Sequence, residues 1–80
     1  LKEMFSMTPV SWSAVAHYIE GAYGLKGKVE RADCLDMAFA HQAPDEVVDT
    51  LDALGSRVFP SPQAAREFLA AQGWVSKDEG

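Results

Sequence analysis

The chain is poor in cysteine, in basic residues and in long apolar runs, and each shortage excludes a class of protein. Cys34 is the only cysteine among the 80 residues, so a scaffold held by internal disulfides is excluded. No apolar stretch approaches the roughly 18 residues that cross a membrane, and residues 1–10 lack the pattern of a secretion signal. These shortages predict a soluble protein of the reducing cytoplasm.

Basic residues are outnumbered, with seven Lys and Arg against twelve Asp and Glu and a formal net charge of −5. Because affinity for nucleic acid comes mostly from Lys and Arg that displace counterions from phosphates, this balance makes a polynucleotide an unfavourable partner. The charges are also segregated. The basic residues that fall together are Lys26, Lys28 and Arg31, and the acidic group that follows is Asp45, Glu46, Asp49 and Asp52. We therefore expect a dipolar surface.

The length and the 48% hydrophobic content suffice for one core but not for two. We expect a single helical domain over residues 7–75. Because Met7, Thr8 and Pro9 read as a natural start, residues 1–6 are predicted to be a remnant of expression or an upstream extension. The charged residues 76–80 are predicted to form a disordered tail.

Two helices are predicted in the first half of the chain. Thr8 is a suitable cap and Pro9 a suitable first residue for a helix over 9–22, which Gly24 would end. Its apolar residues recur every three or four positions: Trp12, Val15, Ala16, Ile19, Ala22 and Tyr23. A second helix is expected over 30–41, before Pro44. Its predicted inner face consists of Ala32, Leu35, Ala38 and Phe39.

Two more helices are predicted in the second half. Pro44 would open a third helix with acidic residues in its first turn, where the helix dipole favours them, and Gly55 would end it. Its predicted buried residues are Val47, Val48, Leu51 and Leu54. We expect Val58 and Phe59 to form an extended connector rather than a strand, with Phe59 in the core, and Ser61 to cap a final helix that ends at Gly73. The predicted fold is all-α, a compact bundle of four short helices with one extended connector.

Candidate reactive groups are few, and their spacing does not bring them together. Cys34 and His41 lie about two turns apart on one predicted helix, beyond hydrogen-bond reach, and neither His17 nor the carboxylates Asp33 and Asp36 complete a site with them. Two histidines and one cysteine match no zinc spacing. We therefore predict no enzymatic activity, no metal and no cofactor.

Glycines before the second helix form the pattern Gly24-Leu25-Lys26-Gly27, which resembles the GxxG loop with which KH domains hold a nucleic-acid backbone. The sequence supplies no three-stranded sheet of the kind a KH domain needs. A helix end followed by a flexible loop is the favoured interpretation. Nucleic-acid contact through Lys26, Lys28 and Arg31 stays open as an alternative.

Two aromatic residues stand apart from the predicted buried stripes. Tyr18 lies off the inner face of the first helix, and Trp74 lies beyond the last one. Both are candidates for an exposed contact or for a dimer interface.

The second half of the chain resembles the bacterial domain of unknown function 2795 family over residues 32–70. Residues 45–54 stand for the acidic helix of that family, and residues 55–59 stand for the turn that follows it, with Phe59 at the aromatic position. Ser61 and Pro62 match the pair before the closing helix. The resemblance implies a small bacterial helical protein and assigns it neither an activity nor catalytic residues.

Together these features predict a small non-enzymatic module that binds a protein partner, with a homodimer as one form of that partnership. The predicted contact residues are Asp45, Glu46, Asp49, Asp52, Tyr18 and Trp74.

Overall fold

The computed structural model describes residues 9–76, and its first element is helix α1, Trp12–Lys26. One face of α1 buries Trp12, Val15, Ile19 and Ala22, as their spacing predicted. Of the other two residues of the predicted stripe, Ala16 is half-buried and Tyr23 is exposed, so its predicted place on the buried face was wrong. The helix runs four residues beyond the predicted end, because Gly24 stays helical and Gly27, at φ 74°, provides the left-handed cap whose N–H donates to the Tyr23 carbonyl. The helix also begins three residues later than predicted. The predicted Thr8 cap lies outside the described residues.

Helix α2, Arg31–Ala40, is rotated relative to the prediction. Its buried residues are Cys34 and Ala38, whereas Ala32 is exposed and Phe39 is 61% exposed. The expectation that Ala32 and Phe39 face the core was therefore wrong. Because α2 packs against α1 and also against the third helix, the small side chains of Cys34 and Ala38 occupy its buried face.

Helix α3, Asp45–Asp52, begins directly after Pro44 and carries Asp45 and Glu46 in its first turn, as predicted. Val47 and Leu51 are buried along its inner face. Thr50 is buried beside them, and its hydroxyl donates to the Glu46 carbonyl at 2.7 Å, so no polar group of that side chain is left without a partner.

A two-stranded antiparallel sheet corrects the all-α prediction. Strand β1, Val29–Glu30, pairs with strand β2, Val58–Phe59, in the register Val29 with Phe59 and Glu30 with Val58. The extended segment at 58–59 was thus predicted, but its interpretation as an unpaired connector was wrong. Two residues are too short a run to indicate pairing partners 28 and 30 positions away in the sequence. Phe59 is buried, which confirms its predicted place in the core.

Helix α4, Pro62–Ala71, starts as the sequence indicates, because the Ser61 hydroxyl accepts a hydrogen bond from the Ala64 N–H at 3.2 Å. Ala65 and Leu69 are its buried residues. Phe68 packs on Phe59, with ring centroids 5.3 Å apart. The helical fold of four helices in residues 9–76 therefore holds, with the small sheet added.

The two ends of the described chain meet in a short parallel bridge between Val10 and Val75. The Val10 N–H donates to the Trp74 carbonyl at 3.1 Å, and the Ser76 N–H donates to the Val10 carbonyl at 3.1 Å. Val75 is 2% exposed, so the segment after α4 folds back onto the core. Residues 1–6 and positions 77–80 of the predicted tail lie outside the described residues. No helix among residues 9–76 is long and apolar enough to cross a membrane.

Two glycines of α1 allow a matched test of this packing. A Cβ at Gly24 meets nothing within 4 Å, so Gly24→Ala should raise the free energy of unfolding by about 0.5–1 kcal/mol through helix propensity alone. A Cβ at Gly21 would lie 2.7 Å from the sulfur of Met37 and displace it. We expect Gly21→Ala to raise the free energy of unfolding, measured with urea, by less than Gly24→Ala does, or to lower it. Equal gains for both variants would contradict this expectation and show that the flexible end of the Met37 side chain moves aside without cost.

Candidate functional site

A groove of about 550 Å³ opens where the Val10–Val75 bridge passes the first turns of α1 and α3. This volume lies within the range of protein sites that hold small molecules or single side chains. We call it the α1–α3 groove. The residues that line it are Pro9, Val10, Ser11, Ala14, Pro44, Glu46, Val47, Asp49, Thr50, Gly73 and Trp74.

Trp74 is held at the groove by the backbone on both sides of it. Its N–H donates to the Leu69 carbonyl at 2.9 Å, and its own carbonyl accepts from Val10 in the bridge. Gly73, at φ 84°, makes the left-handed turn that redirects the chain after α4. Trp74 is half-buried, packs against the core and lines the groove.

Helix α3 supplies the charged rim of the groove. Glu46 and Asp49 are three residues apart and therefore lie on one side of the helix, and both are exposed. Within residues 9–76, no Lys or Arg forms an ion pair with either carboxylate. The groove thus combines an aromatic and apolar lining with two negative charges that are not neutralised locally.

The structure brings together three of the six residues predicted to contact a partner. Glu46, Asp49 and Trp74 all line the α1–α3 groove. Asp45 is exposed at the start of α3 but does not line the groove, and Asp52, at the other end of the helix, lies 3.2 Å from Arg31. Tyr18 is half-buried and belongs to a different cluster.

That second cluster consists of three rings, His17, Tyr18 and His41. The ring centroids are 5.2 Å apart for His17 and Tyr18, 5.7 Å for the two histidines, and 6.0 Å for Tyr18 and His41. All three pairs meet edge to face. No sequence pattern indicates this contact, because the two histidines are separated by 24 positions and only the packing of α1 against the end of α2 brings them together.

The basic residues considered for nucleic-acid contact are each paired with a carboxylate. Lys26 Nζ lies 3.2 Å from Asp33 Oδ2, Lys28 Nζ 3.2 Å from Glu30 Oε2, and Arg31 3.2 Å from Asp52 Oδ1. Exposed ion pairs of this kind add little to stability, but they cancel the local positive potential that a phosphate would meet.

The Gly24–Gly27 pattern is the last turn of α1 and its cap. It does not form a free loop between two helices, so it lacks the geometry of a backbone clamp. Together with the three ion pairs, this placement weakens the nucleic-acid alternative.

Cys34 lies on the buried face of α2, away from solvent. Burial, and secondarily the negative charge of Asp33, raise the pKa of the Cys34 thiol to about 12. His41 is exposed beyond the end of α2, so the two residues do not form a nucleophile and base. Among residues 9–76, no three or more His, Cys, Asp or Glu side chains are arranged to hold a metal ion.

The raised pKa of Cys34 makes stability depend on alkaline pH. Between about pH 9 and pH 12 the unfolded chain releases the thiol proton while the folded protein keeps it, so the free energy of unfolding falls as pH rises through this window. Urea unfolding at several pH values should show this slope, and Cys34→Ala should flatten it. Equal slopes in both proteins would contradict the buried thiol.

Alkylation of Cys34 provides a second check. A buried thiol that stays protonated reacts slowly, so iodoacetamide should leave the folded protein unmodified at neutral pH and modify it after unfolding in urea. Mass spectrometry measures the modified fraction. Rapid alkylation of the folded protein would restore Cys34 as a candidate reactive group.

Comparisons with known proteins add no relative to this description. No protein-family model, curated protein or solved structure matches the chain. The resemblance of residues 32–70 to the domain of unknown function 2795 family therefore stays a prediction.

Proposed function

We propose that this protein is a non-enzymatic interaction module that binds a cationic, partly apolar segment of another protein in the α1–α3 groove. The observation that carries the proposal is the position of Trp74 in one groove with the carboxylates of Glu46 and Asp49, which form no ion pair within residues 9–76. Sequence reasoning selected these three residues separately, on charge and aromatic character. Their meeting in one groove supports a common role.

The chemistry of the groove selects the class of partner. Ala14 and Pro44, which are exposed, offer an apolar surface for an aliphatic side chain, and the indole of Trp74 offers a face for a guanidinium or ammonium group. Arginine and lysine combine an apolar stem with a charged end, so they can contact the apolar lining and reach the carboxylates at the rim. A segment in which Arg or Lys alternates with an aliphatic residue fits both features.

The charge distribution favours this partner over a nucleic acid. The described lysines and arginines all have local partners: three pair with carboxylates, Arg57 lies 5.0 Å from the Phe68 ring centre, and Arg66 lies 5.4 Å from that of Trp12. Within the described part of the chain, the carboxylates of Glu46 and Asp49 have no basic partner. The local field at the groove therefore attracts cations and repels phosphates.

Other parts of the proposal concern activity, self-association and location. The buried, protonated thiol of Cys34 supports a role without covalent chemistry. A homodimer would require one copy to offer a basic segment to the groove of the next, and the paired state of the described Lys and Arg residues makes them poor candidates. A single buried cysteine also suits the reducing cytoplasm, where we place the protein.

An NMR titration of the full chain tests the proposal. The probe is a blocked hexapeptide that alternates arginine and leucine, and the reference peptide has glutamate in place of arginine. We expect the arginine peptide to shift the indole N–H signal of Trp74 and the amide signals of Glu46 and Asp49. The indole signal of Trp12, a ring that lies under Arg66, should not shift. The glutamate peptide should cause no shifts.

Variants assign the affinity to individual groups. Trp74→Leu should lower it about tenfold, because an aromatic anchor at a binding site often carries this much, and Glu46→Gln should lower it about twofold to fivefold. Asp45→Asn is the matched control, because Asp45 has the same charge on the same helical turn but does not line the groove. An equal loss in the Asp45 and Glu46 variants would indicate non-specific attraction to the acidic helix and would refute the proposal. Shifts at Lys26, Lys28 and Arg31 with a mixed-sequence oligonucleotide would favour the alternative.

A further inference from the structure

His17 and His41 are the two histidines of the chain, and the fold brings them into contact from different elements. His17 projects from the middle of α1, and His41 is the first residue beyond α2. Their ring centroids are 5.7 Å apart. Neither histidine lines the α1–α3 groove, so the pair is a feature of its own.

The separation of the two rings is close to that of a chelating pair, and their edge-to-face orientation has to change before one ion can bind a nitrogen of each. Imidazole nitrogens bind Zn²⁺ and similar ions at about 2.0–2.1 Å, which puts the centres of two rings on one tetrahedral ion about 5 Å apart. The observed distance is within about 1 Å of this value. Both side chains are exposed, so rotation about their side-chain bonds can turn one nitrogen of each ring toward a shared ion.

Two further features favour a cation at this position. Tyr18 packs against both histidine rings, at centroid distances of 5.2 and 6.0 Å, so a third ring helps to hold the middle of α1 beside the end of α2. The formal net charge of −5 also attracts cations to the protein as a whole. Neither imidazole takes part in an ion pair within the described residues.

We propose that His17 and His41 form a two-imidazole site for a divalent late transition-metal ion of the class Ni²⁺, Cu²⁺ or Zn²⁺. Imidazole is a preferred ligand of these ions, whereas Mg²⁺ and Ca²⁺ require oxygen ligands. Two protein ligands leave the remaining coordination positions to water or to an external ligand, so the site is exchangeable rather than structural. The bound ion joins the middle of α1 to the end of α2. This site is independent of the function proposed for the α1–α3 groove.

Binding across two elements has a measurable consequence for stability. An ion that binds the folded protein but has weaker affinity for the separated histidines of the unfolded chain raises the melting temperature. A saturating concentration of Ni²⁺ should raise it by about 5 °C or more, because a small domain gains about 4–8 °C for each kcal/mol of stabilisation.

The test is a calorimetric titration of the full chain with Ni²⁺ at neutral pH, paired with thermal unfolding in the presence of Ni²⁺ or Mg²⁺. We expect one Ni²⁺ per chain, a rise in melting temperature with Ni²⁺ and none with Mg²⁺. His17→Asn and His41→Asn should each lower the Ni²⁺ affinity at least about tenfold and remove the rise, because each variant leaves a single imidazole.

The controls separate a shared site from metal binding elsewhere. Cys34→Ala should retain the full affinity, since the thiol is buried and apart from the histidines. Unchanged Ni²⁺ binding in the variant that lacks both histidines would overturn the proposal. So would two Ni²⁺ ions per chain in the unmodified protein and one in each single-histidine variant, because each histidine would then bind an ion independently. Thermal unfolding in the absence of metal shows whether each variant is folded. The electron paramagnetic resonance spectrum of bound Cu²⁺ counts the coordinated nitrogen atoms directly. Two coordinated nitrogens are expected, and a single one would contradict the shared site.

Discussion

Helix α1 buries Val15, Ile19 and Ala22 completely, and each of the other three helices packs against it. This burial positions the remaining elements, because a chain of this size has one core and every amphipathic helix must direct its apolar face toward it. Both features of interest include an outward-facing residue of α1: Ala14 lines the α1–α3 groove, and His17 contacts His41. The same helix therefore supplies the centre of the core and one residue to each of the two surface features.

Backbone pairing joins the segments that lie outside the four helices. The β1–β2 pair joins the loop after α1 to the segment before α4, and the Val10–Val75 bridge joins the two ends of the described chain. Each pairing is only one or two residues long and gives hydrogen-bond partners to backbone N–H and C=O groups of the extended segments. The second pairing also creates the groove, because it places Trp74 opposite the acidic first turns of α3.

The basic and the acidic residues differ in whether they have a partner of opposite charge nearby. The basic residues around the end of α1 are paired with carboxylates of β1, α2 and α3, whereas Glu46 and Asp49 have no such partners among residues 9–76. A pattern that reads in sequence as a basic group and an acidic group of similar prominence therefore becomes a neutralised region and a negatively charged groove. This asymmetry underlies our preference for a cationic partner.

The sequence by itself determined the four helices, most of their inward faces, the cap at Ser61 and the acidic first turn of α3, because these depend on side chains within one or two turns of each other. It also identified Glu46, Asp49 and Trp74 as contact candidates. Only the tertiary structure decided the rotation of α2 that exposes Phe39, the pairing of Val58–Phe59 with Val29–Glu30, the convergence of the groove residues and the contact of His17 with His41. Each of these joins or orients segments that are distant in the chain, and local periodicity carries no information about which distant segments share a core.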